Sequence, residues 1–591
     1  MFLLSTALLA PLPQPDLAVS SPPQPPSETV LFHSDRQGAQ KIAQGPVTPA
    51  GRPDLPPEPE PPELEPLPPL PPPEELLQPP AAPEALPPNF DVPGTIVVQA
   101  FRVVGSTIFS AEELATVTAA YTNRPITFTE LLEARSAVTQ LYLDSGYITT
   151  GAFIPTEQVI DEGIVEIQVV EGFLEAVVIE GLEDLVPGYV SSRIERAAGR
   201  PLNVNDLVEG LQLLQLDPVI ESISAELATG TQLGGSIVNL QVEEAKSFSI
   251  EAGMDNGRSP TVGSVRGQAS LRDINLLGFG DTLDLAYSLT AGSDTVNIGY
   301  TLPVSPSNTT VGLNFSLTRS EVIDDDFDIL SIESASEDLQ LSLRQPIVQT
   351  PTEELALSLG FAYSRIESTF QLPGAPRLGF PFTGAPDGEA KVTAIRFGQE
   401  WTQRSASRVL AARSTFNLGA DWLGGTNNEG DIPDSNFFSW QGQAQWVQVL
   451  ATDTLLLARI DGQLADRPLL SLEQFRLGGQ GSVRGYREDE VIADNGVFAS
   501  LEVRVPILRI PEWESLVQLT PFVDVGYAWN SGDSPDPESQ TLASVGVGAL
   551  WQVSDRVTAR LDYGIPLINE DDIGNSLQES GILFSITGRV F

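Results

Sequence analysis

Few residues in this chain could carry chemistry. The 591 residues contain no cysteine and one histidine, His33, which lies in a proline-rich stretch. Imidazole general-base catalysis, thiolate nucleophiles and Cys/His zinc sites therefore lack their usual residues. Carboxylate-based hydrolysis keeps its raw material, but no convincing dyad supports it. The acidic runs Asp324-Asp325-Asp326, Asn427-Asn428-Glu429-Gly430-Asp431 and Glu570-Asp571-Asp572 lack the full ligand spacing of a calcium loop and read as solvated loops. No catalytic residue, metal site or cofactor is expected. The pattern that does stand out has two parts. A glycine-rich string, Leu477-Gly478-Gly479-Gln480-Gly481-Ser482-Val483-Arg484-Gly485-Tyr486, presents one arginine, and Phe522-Val523-Asp524-Val525-Gly526 presents one aspartate in an alternating segment.

The elements that must position them are strands. From Phe248 to Phe591 the polarity alternates with period two. Phe416, Leu418 and Ala420 oppose Thr415, Asn417, Gly419 and Asp421. Phe438, Trp440, Ala444 and Trp446 oppose Ser439, Gln441, Gln443 and Gln445. Leu456, Ala458, Ile460 and Leu464 oppose Arg459, Asp461 and Gln463. Val497, Leu501, Val503 and Val505 oppose Ser500, Glu502 and Arg504. Charged positions recur opposite aliphatic ones over about 9 to 11 residues, the length a tilted strand needs to cross the hydrocarbon layer. A soluble sandwich also alternates, but its strands seldom run this long. The segment 246–591 has 591 − 246 + 1 = 346 residues. At roughly 20 to 24 residues per strand and connection, and with an even number required, about sixteen antiparallel strands are expected. On that reading Val523, Val525 and Tyr527 face lipid, while Phe522, Asp524 and Gly526 face the lumen.

Ahead of the barrel lie three other regions. Met1 to Ala10 is a short apolar run without a basic start, so residues 1–20 read as a truncated signal peptide. Residues 21–93 are rich in proline and glutamate, as in Pro56-Pro57-Glu58-Pro59-Glu60-Pro61-Pro62, and read as a disordered, extended linker. Residues 94–172 and 173–245 form an internal repeat of β-α-α-β-β units. In the first, Ile96 to Val104 ends at Gly105, and Arg124-Pro125-Ile126 separates two helical patterns. In the second, Leu174 to Glu180 ends at Gly181, and Arg200-Pro201-Leu202 separates two more. Each glycine suits a tight strand-to-helix turn, and each proline suits a loop before a helix.

Net charge bears on the partners. At −47 and pI near 4.1, the surface repels phosphate backbones, which excludes nucleic acid as a partner. No stretch offers the roughly 18 apolar residues of a spanning helix, so a membrane-spanning form must be a barrel.

The two α/β units resemble polypeptide-transport-associated (POTRA) domains. The Val483-Arg484-Gly485-Tyr486 loop motif and the Phe522, Asp524, Gly526 strand motif resemble those of the barrel superfamily that secretes or inserts polypeptides at outer membranes. Met254-Asp255-Asn256-Gly257 and Asn275-Leu276-Leu277-Gly278-Phe279-Gly280-Asp281 are similar to the opening strands of one branch, the haemolysin secretion/activation transporters of two-partner secretion. The resemblance implies that Arg484 tips an inward loop and pairs with Asp524. It also implies a bacterial outer-membrane location with POTRA domains in the periplasm, where an unfolded exoprotein is captured and passed outward without nucleotide hydrolysis. The barrel would be surrounded by outer-membrane lipid and installed by the barrel-assembly machinery. Known members carry an N-terminal pore-plugging helix; here only Ser27 to Gln44 is a helical candidate. Phe591 supplies the terminal aromatic of a barrel-assembly signal, although Arg589, Thr587 and Ser585 share its parity, and Val590, Ile586, Phe584 and Ile582 form the apolar face. Two alternatives share the scaffold: a factor that inserts or assembles membrane proteins, and a passive porin or barrel enzyme.

Overall fold

A computed structural model describes residues 66, 72, 76–78 and 94–590, except 157, 159–162, 325–326, 431 and 569–575. The expected signal, the candidate helix Ser27 to Gln44, most of the linker and Phe591 lie outside the described residues.

Sixteen long strands among the described residues close into an antiparallel barrel, from Phe248–Asp255 to Ile582–Arg589. The first pairs with the last over Glu251–Asp255 and Ser585–Arg589. Alternation sets the two faces. Leu418, Trp446, Ile460, Leu501, Val523 and Ile586 are exposed on the outer wall, whereas Asn417, Gln463, Glu502 and Asp524 are buried on the inner one. Outward aliphatic side chains on successive strands form the apolar belt that lipid requires.

The first α/β unit has helices α1 (Ala111–Thr118) and α2 (Phe128–Asp144), each begun by a capping box, Ser110 with Glu113 and Thr127 with Glu130. Hydrogen bonding at these caps holds both glutamates below the usual carboxylate range. The second unit has helices α3 (Pro187–Ala198) and α4 (Val204–Gln215) over strands Phe173–Glu180, Ile220–Thr229 and Gly235–Glu244. The repeat extends to atomic detail at its turn glycines. Gly105 and Gly181 both adopt positive φ, +87° and +93°. A Cβ on either would run into a sheet carbonyl, that of Val169 or Val242 respectively.

Two expectations need correction. The run Ile96 to Val104 is not one strand: it breaks at Gln99 into Thr95–Val98 and Ala100–Val104, which belong to different sheets. The break is held by the Gln99 N–H donating to the Gly163 carbonyl at 2.8 Å. Arg124-Pro125-Ile126 is likewise not a loop but part of strand Arg124–Thr127, paired among the described residues only with Thr95–Val98. Proline is tolerated there because an edge strand leaves one N–H row unused.

The units join in series. The Leu202 N–H donates to the Gly172 carbonyl at 2.8 Å, and the Val204 N–H to that of Gly146 at 2.9 Å. The second unit then meets the barrel at two turns. Asn275-Leu276-Leu277-Gly278-Phe279-Gly280-Asp281 forms the turn between the second and third strands, where the Asn275 and Asp281 side chains accept N–H groups of Gly280, Leu277 and Phe279. The Gly278 carbonyl accepts the Val186 N–H at 2.8 Å. At the next such turn Asn308 accepts Arg193 Nε at 3.0 Å, and that guanidinium stacks 3.5 Å from the Tyr189 ring centre. Turns on this side face the α/β units, so the longer connections lie at the opposite mouth.

Candidate functional site: an ion-paired loop in the barrel lumen

The connection between the eleventh strand (Thr454–Ala465) and the twelfth (Asn495–Ile510) comes from that opposite mouth and folds into the lumen. Its stem is a short hairpin, Phe475–Leu477 with Val491–Ala493. Leu477, Val483, Tyr486 and Val491 are buried together with Phe498, Ala528 and Leu542 of the wall. Four glycines make the close approach practicable. Gly485 has φ +101°, and a Cβ there would meet the Gly564 backbone at 2.9 Å. A Cβ on Gly526 would press on Leu477 at 2.8 Å and Val483 at 3.1 Å. Gly546 leaves room for the Phe522 ring, and Gly564 for the backbone of Arg484 and Gly485.

Arg484 is almost fully buried and Asp524 completely so. The pair is bidentate: Nε donates to Oδ2 at 2.8 Å and Nη2 to Oδ1 at 3.0 Å, with the Arg484 backbone N–H adding a third bond at 3.1 Å. Such fork-to-fork pairing fixes orientation as well as energy. Ser500 donates to Asp524 Oδ1 at 2.6 Å. Phe522 lies under the guanidinium, its ring centre 3.5 Å from Cζ. Gly526 therefore supplies space, Asp524 charge and Phe522 a π face, which accounts for all three members of the strand motif. Tyr486 completes the loop motif by docking its hydroxyl on the Ala543 and Ile568 carbonyls, 2.9 and 3.0 Å away.

The motifs alone do not reveal the rest of the cluster. Arg484 Nη1 also donates to Glu502 at 2.6 Å, and Glu502 accepts from Arg560 at 2.5 Å and from Arg504 at 3.0 Å. Arg560 in turn reaches Asp562 at 2.6 Å. Three guanidiniums thus face three carboxylates, which leaves this buried patch neutral. Glu502 and Arg504 already stand on the polar face in the sequence. What could have marked the reach of Glu502 to Arg560 is the run of small inward residues between them, Ser544, Gly546 and Gly548, over which long side chains can cross.

Farther back on the same connection, Leu469, Leu470 and Leu472 pack with Ala390, Val392 and Ala394 of the eighth strand (Glu389–Arg404). Glu473, buried, accepts from Arg396 of that strand at 2.8 Å. The connection is therefore anchored on two stretches of wall. The inner face of the first four strands instead frames a cavity of about 260 Å³, lined by Gln268, Ser270, Ser288, Thr295 and Asn297 together with the charged Glu251 and Arg266. At the seam, Ile586 and Val590 point outward, and Thr587 lines the cavity.

A sixteen-strand barrel with an arginine-tipped loop folded inside, preceded by α/β units, defines the class of polypeptide-transporting outer-membrane barrels. A family model described as haemolysin secretion/activation protein ShlB/FhaC/HecB matches residues 234–550, and one described as POTRA domain, ShlB-type, matches residues 96–172. The outer membrane transporter CdiB of Dickeya dadantii (strain 3937) is 25% identical over 454 residues, 75% of this chain and 78% of that protein. The hemolysin transporter protein ShlB of Serratia marcescens is 25% identical over 435 residues, 72% of this chain and 74% of its own length. Among solved structures, CdiB from Escherichia coli superposes with a TM-score of 0.65 at 22% identity, covering 86% of this chain and 94% of that one. The chain belongs to the haemolysin secretion/activation (ShlB/FhaC/HecB) family, the outer-membrane transporters of two-partner secretion. It is an outer-membrane protein with its POTRA region in the periplasm.

Proposed function

We propose that this transporter captures one unfolded exoprotein on its α/β units and passes it outward along the polar wall of the barrel, with no nucleotide hydrolysis and no catalytic residue. The observation that carries the reading is the asymmetry of the lumen. One wall is filled by the ion-paired loop, while the wall of the first four strands keeps a cavity lined by uncharged polar side chains with one residue of each charge, Glu251 and Arg266. Such a surface offers hydrogen bonds to an extended backbone. In the same reading Val483, Arg484, Gly485 and Tyr486, with Phe522, Asp524 and Gly526, hold the loop against the far wall while the chain passes. Lipid contacts the outward apolar belt, and the barrel-assembly machinery reads the last strand, Phe591 included.

Deleting residues 94–245 behind an intact signal tests this reading. The expected outcome is a barrel that inserts, judged by heat-modifiable mobility on a gel, and secretes no exoprotein. Secretion at the full-length rate would overturn it.

A further inference from the structure

Away from the arginine cluster, one buried acid of the inner wall stands apart. Asp338, on the sixth strand (Glu333–Gln349), faces the lumen and is 4% exposed, and neither of its oxygens has a hydrogen-bond partner among the described residues. Its register partner on the seventh strand (Glu353–Phe370), Ser364, stands close by without hydrogen-bond geometry. On the other side Ser316 of the fifth strand (Thr310–Glu321) is opposite Asp338, and Asn297 of the fourth (Ser293–Pro303) is next in the same row. Ser336 precedes Asp338 by two positions and so shares its face. The Ser316 and Ser336 hydroxyls and the Asn297 amide oxygen are likewise buried and unpartnered among the described residues. Elsewhere on this wall facing hydroxyls do bond, Thr295 with Thr318 at 3.0 Å and Ser334 with Ser368 at 2.7 Å. Of the unmet oxygens described on these four strands, only that of Ser320 lies outside the group around Asp338.

Chemistry narrows what belongs there. An ionised carboxylate removed from water is strongly unfavourable without a counter-charge. The Glu473–Arg396 pair lies within electrostatic reach, but its two charges cancel and that of Asp338 is left over. A proton would satisfy one Asp338 oxygen and leave the amide and hydroxyl oxygens as they are. A cation takes lone pairs from all of them, and oxygens that surround a cation point at it rather than at one another. Carboxylate, amide and hydroxyl oxygens are hard donors, which suit alkali and alkaline-earth ions over transition metals. With one uncompensated carboxylate, a single positive charge balances the site, whereas tight divalent sites gather more. Opposed positions on neighbouring strands have Cβ atoms about 4.5–5.5 Å apart, close enough for Asp338 and Ser316 to hold one ion. Asn297 also lines the cavity of about 260 Å³, which gives an ion a way in from the lumen. The ligands come from three strands, so no linear spacing marks them in the sequence.

We propose that Asp338, with the oxygens of Ser316, Ser336 and Asn297, binds one hard monovalent cation, sodium or potassium, in the inner wall of the barrel. The ion offsets the second carboxylate beside the Glu473–Arg396 pair. It also ties the fourth, fifth and sixth strands together along the row where their own side chains do not bond.

The test uses the purified full-length protein in detergent, with heat-modifiable mobility as the measure of folded barrel. Chloride is held constant while the cation is sodium, potassium or choline, the last too large for the site. The wild-type midpoint should lie about 2–4 °C higher in sodium or potassium than in choline. Asp338→Asn keeps the shape, removes the charge and should abolish that difference. Ser316→Ala with Ser336→Ala keeps the charge and removes two ligands, so the difference should persist but need several-fold more sodium. Wild-type crystals grown in rubidium chloride should show an anomalous-scattering peak between Asp338 and Ser316, which tests the site even if the variants do not fold. Equal wild-type midpoints in sodium and choline, a sodium effect that survives Asp338→Asn, or no rubidium peak would each overturn the proposal. A midpoint that follows pH but not the cation would overturn it too, and would make Asp338 a neutral acid. An effect of calcium or magnesium alone would overturn the monovalent assignment.

Discussion

Two segments of this chain lie against surfaces that other parts of the fold supply, and they are held by opposite means. The lumen loop is fastened by a neutral cluster of three arginines and three carboxylates, with glycines cut to its outline. A proline-free island of the proline-rich segment, Leu76–Gln78, is held against strand Ile220–Thr229 of the second α/β unit by two buried leucines and a two-residue parallel ladder. Burying two leucines contributes about 1.5–3 kcal/mol each. Ordering the backbone costs about 1–2 kcal/mol per residue, so the island's balance lies close to zero. Breaking one partner of a buried ion pair instead costs about 3–5 kcal/mol, because the charge left behind has no solvent. The comparison teaches that the loop belongs to the architecture of the barrel, whereas burial of the island does little more than offset the cost of ordering it.

The comparison breaks first at Arg484. Arg484→Ala leaves the cluster with two guanidiniums for three carboxylates, and Asp524 keeps only Ser500 and the backbone N–H of residue 484 among its hydrogen bonds described above. Asp524→Ala leaves Arg484 its bond to Glu502. Both changes should impair secretion and raise open-channel conductance, Arg484→Ala more, at a cost of about 3–5 kcal/mol to loop docking. The double variant should be scarcely worse than the Arg484 change alone. Arg484→Lys should rescue in part, since an ammonium keeps the charge without the planar fork. Single effects that simply add would show that the two residues act separately.

How much of this could be read beforehand depends on the range of the information. Alternation is local, so strand number and the inward parity of Phe522, Asp524 and Gly526 were legible, whereas the pairing of Arg484 with Asp524 was implied only by the resemblance of the two motifs to those of a known barrel superfamily. Glu502 to Arg560 spans the twelfth to the fifteenth strand, and barrel curvature and the small residues between decide that reach. No periodic pattern encodes it. Pro125 misled because proline signals a turn unless the strand is an edge, and edge status is a tertiary fact. The island escaped notice because two paired residues are too few to interrupt a composition dominated by proline.

A smaller effect is expected where loop and wall meet backbone to backbone. Gly485→Ala forces a side chain onto φ +101° and against Gly564, and Gly564→Ala pushes on the Gly485 Cα at 2.6 Å. Each should cost about 1–3 kcal/mol of docking, seen as faster tryptic cleavage after Arg487 in folded barrels. Wild-type protection in both variants would mean that the wall yields by ångströms, and the loop would then look more like the island than proposed here.

The smallest effect belongs to the second anchor, where Glu473 accepts from Arg396. Glu473 is buried, but about a quarter of the Arg396 side chain reaches solvent, so water can take up part of what a lost partner leaves. Glu473→Gln keeps an oxygen to accept the hydrogen bond and removes only its charge. The neighbouring leucines, Leu469, Leu470 and Leu472, stay packed on Ala390, Val392 and Ala394. The expected loss is therefore about 1 kcal/mol, visible as a modest rise in conductance with the Arg487 site still protected. The ranking is the informative part. If Glu473→Gln frees the loop as fully as Arg484→Ala does, the connection is released from the eighth strand inward, and the arginine cluster is not what holds it against the wall.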